Sequence, residues 1–492
     1  MRARTITVVL AVLLAAFLAM PATATQSNSL PINSENMSFV ANLSYPDEEY
    51  GKTSSILYGH NGTTRKRPDA QGGTDLETLT IADRDYAFSG TYRNGLQVVD
   101  ITDPAKPVLT ATYDCKVQQG DVQAFSRDGR FYVAYAVDNG YANTISACYT
   151  DAGATKPDPG TIIVDVTDPA APRSVSFIKV NRGTHNTTVH PSGLYLYNSN
   201  SEGTKGGIEV ISLADIARPA LVTTVPLPGK EDSHDVTFNA DGTRAYSAAL
   251  DHTVVLDTSD AAAPKVLSFI EDPTITLHHQ ADPVTVGDRS FVIINDELNG
   301  AGGNEYCPGG GLHVYEVTGA LELAPKKVGA FFAPDVTAAQ GSRGGLAATV
   351  SCTAHVFRIY PAQGILTIAW FGAGVRVIDL NGLEGYSAGV VPQVGNITPG
   401  MKEVGYFRFT EDSDAWAAKV HRFDADGSAF LFSNDQTRGF DVYRYNATAP
   451  AAAEQGQWLN PQQTIAHVTA LRARLGATSV DRPICLLRGR AL

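Results

Sequence analysis

Six of the eleven histidines in this chain are candidates for metal ligation: His185, His234, His278, His279, His355 and His421. Neutral imidazole binds iron, copper, zinc and nickel well. Most of the six lie far apart in the sequence, and no H-E-x-x-H or zinc-ribbon spacing connects them. Whether they act together depends on the elements that position them.

A phrase of strand length is repeated seven times along the chain. Each copy is rich in β-branched residues, and six copies begin with glycine. The copies are GLQVVDI (95–101), GTIIVDV (160–166), GIEVISL (207–213), HTVVLDT (252–258), GLHVYEV (311–317), GVRVIDL (374–380) and GFDVYRY (439–445). Repeats of this period are typical of solenoids and propellers.

The units Gly95–Tyr113 and Gly160–Ile178 resemble the LVIVD repeat, which is found in secreted or surface β-propeller proteins. The resemblance extends over about residues 39–445. It implies a propeller architecture. It implies no particular activity, because the family has no shared catalytic motif.

We predict an all-β fold, a seven-bladed β-propeller of four-stranded blades. Blade 4 is the clearest unit, with strands over 234–239, 244–249, 252–258 and 264–270. The seventh phrase has no outer strand after it, and Asn36–Tyr45 has the pattern to supply one. Pairing the two ends of the chain in this way would close the ring and remove open sheet edges.

The segments outside the repeats define the predicted domain limits. Residues 1–24 read as a signal peptide, with a basic start, an apolar run over 6–20 and an Ala-x-Ala site at 22–24. Residues 25–445 form the propeller, and residues 446–492 form a linker and tail. Within the tail we predict a helix over 461–475 that is capped by Asn460. No later stretch is apolar enough to cross a bilayer. We expect an exported protein, and we expect it to be a monomer.

The net charge limits the class of binding partner, and the cysteine content indicates disulfide bonds. A net charge of −13 argues against nucleic acid and anionic membranes. Export permits disulfides. Long inserts separate the second and third strands over 138–159 and 296–310, and each insert contains one cysteine. We therefore predict the bonds Cys115–Cys148 and Cys307–Cys352 on one face of the ring, with Cys485 as a lone thiol.

The predicted blades bring the histidines together. The first strand of each blade lines the central channel, and the six histidines lie at the predicted starts of these strands in blades 3 to 7. Asp75 and Asp121 take that place in blades 1 and 2. Asp296 and Glu297 would add carboxylate ligands at the same face, although a solvated acidic loop is the more ordinary explanation. Alignment of blade 7 with blade 4 places Lys419, rather than His421, opposite His234.

Two interpretations of the histidines follow. In one they bind a transition metal ion (Fe, Cu, Zn or Ni). In the other, which the residues alone favour, they line the channel or form hydrogen bonds within their blades. His60 and His190 lie in turn-like contexts and are predicted to be at the surface.

The leading functional prediction is an exported binding scaffold that recognises a protein, glycan or small molecule on the disulfide-linked face. The alternative is a metalloenzyme, an oxidoreductase or metal-assisted hydrolase, with Asp75, Asp121 or Asp296 as supporting groups. A third hypothesis is a structural surface-layer component. Nucleophile-elbow, nucleotide-binding and H-E-x-x-H motifs are all missing from the sequence.

Overall fold

The computed structural model describes residues 30–45, 72–92, 94–117, 119–138, 145–180, 183–200, 206–230, 232–297, 310–333, 353–385, 400–410, 413–451 and 456–475. Within these ranges the chain forms seven antiparallel sheets arranged as the blades of a ring. The prediction of a seven-bladed β-propeller is confirmed.

The strands follow the blade order along the chain. Two short strands precede the first blade: β1 (Pro31–Asn33) and β2 (Met37–Leu43). Blade 1 contains β3 (Gly73–Ile81), β4 (Arg84–Thr91), β5 (Leu96–Asp100) and β6 (Val108–Tyr113). Blade 2 contains β7 (Val122–Arg127), β8 (Arg130–Val137), β9 (Gly160–Asp165) and β10 (Arg173–Lys179). Blade 3 contains β11 (Asn186–Val189), β12 (Tyr195–Ser199), β13 (Ile208–Ser212) and β14 (Ala220–Val225).

The remaining blades have the same plan. Blade 4 contains β15 (Asp235–Phe238), β16 (Arg244–Ala248), β17 (His252–Asp257) and β18 (Lys265–Glu271). Blade 5 contains β19 (His278–Val286), β20 (Arg289–Asp296), β21 (Leu312–Glu316) and β22 (Lys326–Phe332). Blade 6 contains β23 (Phe357–Tyr360), β24 (Ile365–Ala369), β25 (Val375–Asp379) and β26 (Lys402–Phe409). Blade 7 contains β27 (Ala415–Phe423), β28 (Ala429–Asp435) and β29 (Gly439–Tyr445), and β30 (Gln457–Leu459) follows it. Two α-helices are described, α1 (Ala147–Asp151) and α2 (Pro461–Leu475).

The repeated phrase forms the third strand of every blade. A carboxylate at the end of this strand bonds the backbone N–H two residues further on in four blades: Asp100, Asp165, Asp257 and Asp379, at 2.7 to 3.0 Å. This is an Asx turn, in which the side chain replaces a backbone acceptor. In blades 1, 2 and 4 the same aspartate also pairs with the arginine that begins the second strand. The repeated carboxylate is thus a device for turning the chain.

The ring closes through its N-terminal strand. β2 pairs with β29, with Met37 opposite Tyr445 and Leu43 opposite Phe440. This confirms the predicted pairing of the two ends of the chain. The sequence did not indicate β1, which adds a fifth strand to blade 6 by pairing with β26.

The C-terminal segment packs on blade 5. β30 pairs with β22, and α2 follows directly. Asn460 and Gln463 cap the helix reciprocally, each side chain accepting the other's backbone N–H, at 2.9 and 3.0 Å. This is a capping box, as the predicted Asn460 cap requires. Val468 and Leu471 of this helix are buried.

One predicted disulfide, Cys115–Cys148, is present and confirmed. Cys307, Cys352, Cys485 and the predicted signal peptide lie outside the described residues. In the parts of the chain that are described, no helix has both the length and the apolar character to span a membrane. We call the face that bears Cys115–Cys148 and the connections into each first strand the loop face. The opposite face, with the turns after each first strand, is the turn face.

Candidate functional site

Four imidazole rings pack side by side at the loop-face end of the central channel. The ring centroids of His185 and His234 lie 4.4 Å apart, those of His234 and His279 lie 4.1 Å apart, and those of His279 and His355 lie 4.5 Å apart. The four residues come from blades 3, 4, 5 and 6, at or next to the start of each first strand. None is more than 3% exposed. We call them the histidine arc.

Three other side chains complete the circle through blades 7, 1 and 2. The indole of Trp416 lies 4.3 Å from the His355 ring, and Tyr92 meets Trp416 edge-on at 5.7 Å. The Tyr92 hydroxyl donates to Gln119 Oε1 at 3.1 Å, and Gln119 Nε2 lies 3.2 Å from His185 Nε2. None of the three has a residue type that suggests ligation, so the sequence did not indicate them.

Protein groups hold the Nδ1 atom of every histidine in the arc. His234 Nδ1 donates to the backbone oxygen of His279 at 2.9 Å, and His355 Nδ1 donates to that of Trp416 at 2.7 Å. His185 Nδ1 lies 3.1 Å from Asp138 Oδ2. A carbonyl can only accept, so the proton of His234 and of His355 is on Nδ1, and Nε2 keeps the lone pair. This is how metal-binding histidines are usually oriented.

His279 differs from its neighbours in this respect. Asn295 Nδ2 lies 3.3 Å from His279 Nδ1 and also donates to the backbone oxygen of His355 at 2.9 Å. The orientation of that amide is set from its other end, since Asn295 Oδ1 accepts the N–H of Gln280 at 2.6 Å. The contact favours a proton on His279 Nε2, so ligation through this atom would require that proton to move to Nδ1.

A buried carboxylate adjoins the arc. Glu297 Oε2 lies 3.6 Å from His279 Nε2, and Glu297 Oε1 lies 3.8 Å from His355 Nε2. The ligand atoms of these three residues all lie within 4.8 Å of one another. Ligand atoms of a tetrahedral zinc site are about 3.3 Å apart, given bonds of roughly 2.0 Å. The observed separations therefore need only a small contraction around an ion.

The acidic pair at the start of the blade 5 insert is not a solvated loop. Asp296 is 1% exposed and Glu297 is fully buried. Asp296 accepts the backbone N–H groups of Thr276 and Leu277 at 3.0 and 2.9 Å, so it fixes the connection into blade 5. Burial raises the pKa of Asp296 to about 7. The ordinary explanation offered by the sequence is wrong here, because both side chains turn inward.

Burial also sets the charge state of two rings of the arc, those of His234 and His279. Desolvation lowers the pKa of His234 and of His279 well below the ordinary value, and the neighbouring imidazoles lower both further. These rings are therefore neutral near pH 7. Neutral imidazole is the form that ligates metal ions.

A cavity of about 660 Å³ lies against the arc. His234, His279, His355 and Trp416 line its closed end. Its exposed lining residues lie at the other end: Pro191, Ala240 and Pro361 in the turns that follow the first strands, and Thr285 near the end of β19. The cavity therefore opens at the turn face. The predicted ligand or partner site on the disulfide-linked face stays a prediction.

One wall of the cavity contains its two cationic side chains. Lys419 Nζ lies 2.8 Å from Asp75 Oδ1 and 3.0 Å from Glu77 Oε1, and Arg358 pairs with Glu77. Burial raises the pKa of Asp75, although the Lys419 charge opposes that rise. Asp75 thus lies below the level of the arc, in an ion-pair network with blades 6 and 7.

The opposite wall contains three further carboxylates. Asp121 Oδ2 accepts the backbone N–H of Thr187 at 2.9 Å, and Asp282 Oδ1 accepts the Thr237 hydroxyl at 2.8 Å. Burial raises the pKa of Asp121 well above its ordinary value and raises that of Asp235 to about 7. The cavity thus contains five carboxyl groups and two cations, which favours a polar or positively charged ligand.

Two of the six predicted histidines lie outside the arc. His278 Nδ1 lies 2.8 Å from the Thr253 hydroxyl in blade 4. His421 lies near the turn face, with Nδ1 2.9 Å from the Thr78 hydroxyl and Nε2 3.1 Å from Asp85 Oδ1. The register shift of β19 between His278 and Gln280 accounts for the position of His278, and β27 begins at Ala415, which places His421 near the end of its strand.

His190 also differs from its prediction. It is buried, not at the surface. Its Nδ1 lies 2.8 Å from the Ser192 hydroxyl, and its Nε2 lies 3.0 Å from the backbone oxygen of Gly242 in the next blade. His190 therefore links two turns on the turn face.

Comparisons with known proteins are consistent with this architecture. A family model described as LVIVD repeat matches residues 82–115. The chain matches no curated protein.

Solved structures with a similar fold include three at low identity. The β-propeller domain of Cps50 (Swd1) from Myceliophteria thermophila is 10% identical, with a TM-score of 0.47, over 76% of this chain and 97% of that one. A functionally unknown protein from Desulfotomaculum acetoxidans is 12% identical, with a TM-score of 0.42, over 67% and 88%. The periplasmic gluconolactonase PpgL from Pseudomonas aeruginosa is 14% identical, with a TM-score of 0.42, over 67% and 87%. At these values none of the likenesses bears on activity.

Proposed function

We propose that this LVIVD-repeat β-propeller is a metal-dependent enzyme that acts on a small polar molecule in its central cavity. One observation carries the proposal: buried imidazoles from four consecutive blades meet a buried carboxylate at the closed end of the cavity. Burying several polar rings costs free energy unless their polar atoms form hydrogen bonds or bind an ion.

The metal would be held by His279, His355 and Glu297, with His234 adjacent to them. Two imidazoles and one carboxylate form a donor set used for catalytic zinc and for non-haem iron. When bound, the metal supplies Lewis-acid or redox chemistry. His185 has a different role: it lies between Asp138 and Gln119 and so orients the arc.

The cavity restricts the substrate class. Two of the three ligand side chains, those of His279 and His355, line the cavity, so a molecule inside it lies next to the metal position. Lys419 and Arg358 are engaged by Asp75 and Glu77, and burial raises the pKa values of the three remaining carboxyl groups, Asp121, Asp235 and Asp282. A substrate with an amino group would stabilise these groups in their charged form, and the ring of Trp416 offers it a cation–π surface.

The first test is elemental analysis for Fe, Cu, Zn and Ni in protein purified without chelator. We expect close to one equivalent of one metal in the parent protein. The His279→Ala and Glu297→Gln variants should contain less than about a tenth of that amount, since each loses a ligand. His278→Ala is the matched control, because His278 is the sequence neighbour of His279 and lies outside the arc.

Two results would contradict the proposal. One is a parent protein without metal, even after incubation with each ion. The other is a His279→Ala variant that keeps the metal content of the parent. In either case the exported binding scaffold, which the sequence favoured, would remain the better prediction. That scaffold should keep its partner affinity in His234→Ala.

A further inference from the structure

We infer a second binding site in this chain, for a small oxyanion or carboxylate group, between the guanidinium groups of Arg376 and Arg408 in blade 6. The site lies near the loop-face end of the outer strands and is separate from the channel. Arg408 is on β26, where it pairs with Ile32 of β1, and Arg376 is on β25.

Arg408 carries the first part of the evidence. The residue is 4% exposed, and its Nε and Nη1 atoms are buried without a hydrogen-bond partner. No carboxylate of the described residues lies within ion-pair distance of it. A guanidinium cannot lose its proton under ordinary conditions, so it cannot escape burial by becoming neutral. An uncompensated buried charge is strongly destabilising, and an anion would compensate it.

Arg376 adds a second guanidinium to the same place. Its side chain is 1% exposed and pairs with one carboxylate, Glu403. Its Nη2 donates to the backbone oxygen of Ala373 at 3.3 Å, while its Nε is buried without a partner. Arg376 lies opposite Tyr406 in the β25–β26 pairing, so Arg408, two residues along β26, is its diagonal neighbour on the same face of the sheet. Two cations thus face a single carboxylate.

The surroundings of the pair offer further donors and flat surfaces. The Trp370 indole N–H is buried without a hydrogen-bond partner, and the Trp370 ring lies 6.0 Å from Arg376 Cζ. The ring of Tyr406 lies 5.7 Å from the same atom. All the unsatisfied groups of this cluster except one Glu403 oxygen are donors. A ligand with two or three acceptor oxygens, such as phosphate, sulfate or a carboxylate, matches them.

The neighbouring blade shows how a partly buried arginine is normally satisfied. Arg438 in blade 7 donates to both carboxylate oxygens of Asp441, at 2.6 and 3.1 Å. It also stacks on Phe409, with Cζ 3.8 Å from the ring centroid. Among the described residues Arg408 has no such carboxylate. The contrast favours a bound anion as its counter-ion.

Thermal unfolding of the full chain in different anions tests this inference. At constant ionic strength, we expect phosphate or sulfate to raise the midpoint of the parent by about 2 °C or more relative to chloride, through binding to the folded state. Acetate is included to test whether a carboxylate binds at the site. If acetate acts and phosphate does not, the ligand is a carboxylate rather than an inorganic oxyanion. Isothermal titration with phosphate should give one site.

The variants separate binding from structure. Arg408→Met should abolish the anion effect, and in chloride it should be no less stable than the parent, because it removes an uncompensated charge. Arg438→Met, the matched control, should lower the midpoint in every buffer and keep the anion effect. The inference is overturned if no anion shifts the parent midpoint. It is also overturned if Arg408→Met keeps the shift, or if this variant is strongly destabilised in chloride.

Discussion

The end of the third strand and the part of each blade at the channel differ in how far their residues are repeated from blade to blade. At the end of the third strand, one carboxylate performs the same task in blades 1, 2, 4 and 6, where it accepts a backbone N–H and turns the chain. Around the end of the channel the blades contribute different groups, with imidazoles from blades 3 to 6 and indole, phenol and amide groups from the others. Residues that recur from blade to blade build the fold. Residues that vary between units build the site.

The two places also treat carboxylates in opposite ways. Although burial opposes it, hydrogen bonds from Thr167 and Arg130 bring the pKa of Asp165 below its ordinary value. In the channel, burial and the charge of Asp282 raise the pKa of Asp235 to about 7. The repeated carboxylate is stabilised in its charged form. The channel carboxylate is held where its charge is costly, as groups at functional sites often are.

The largest expected effect on stability comes from the one buried lysine of the channel. Lys419→Met removes the cation that Asp75 faces at 2.8 Å and should lower the free energy of unfolding by about 3 kcal/mol at pH 7. Chemical denaturation measures the loss. Adding Asp75→Asn to this variant should restore part of the stability, because the uncompensated charge is then removed. A Lys419→Met variant as stable as the parent would show that the channel does not depend on this ion pair.

The next prediction concerns pH and has opposite signs in the two places. Between pH 3.8 and about 7 the folded state holds a proton on Asp235 that the unfolded state has lost. Stability therefore falls as pH rises through that window, and Asp235→Asn should gain stability relative to the parent over the same range. The folded pKa of Asp165 lies below 3.8, so its contribution is complete above 3.8 and is lost at lower pH. Denaturation of chelated protein from pH 3 to 8 checks both slopes, and equal slopes would refute the contrast.

The smallest effects should come from the repeated carboxylates taken one at a time. Asp165→Ala loses the bond to the Thr167 N–H and should cost about 1 kcal/mol in the free energy of unfolding. Arg130→Ala should cost less, since the side chain of Arg130 is 57% exposed and the pair is screened by water. Neither variant should change metal content. If Asp165→Ala removed the metal, the separation between fold residues and site residues would fail.

Much of the fold could be predicted from the repeats. The phrase at 95–101 and its six copies locate every third strand, and the pairing of Met37–Leu43 with the last copy follows from the missing outer strand. The fifth strands of blades 5 and 6 could not be predicted. β1 and β30 are three residues long each and carry no alternating pattern of their own, so only their pairing with β26 and β22 defines them.

The site was less predictable because it depends on register. A repeat locates the start of a strand to within a few residues, while a change of one residue reverses the direction of a side chain. The bulge in β19 produces such a change, so His279 rather than His278 joins the arc. β27 begins at Ala415, so Trp416 lies at the arc and His421 lies farther along the strand, near the turn face. Glu297 was undervalued for a related reason, since burial of a loop carboxylate is a tertiary property.

Anomalous X-ray diffraction tests most directly whether the arc and Glu297 bind a metal ion. Crystals of protein purified without chelator would be measured at the absorption edges of iron, copper, zinc and nickel. We expect one strong anomalous peak, about 2 Å from ligand atoms of His279, His355 and Glu297. A peak confined to the carboxylate wall of Asp121 and Asp235, or no peak in protein that was offered each metal, would contradict it.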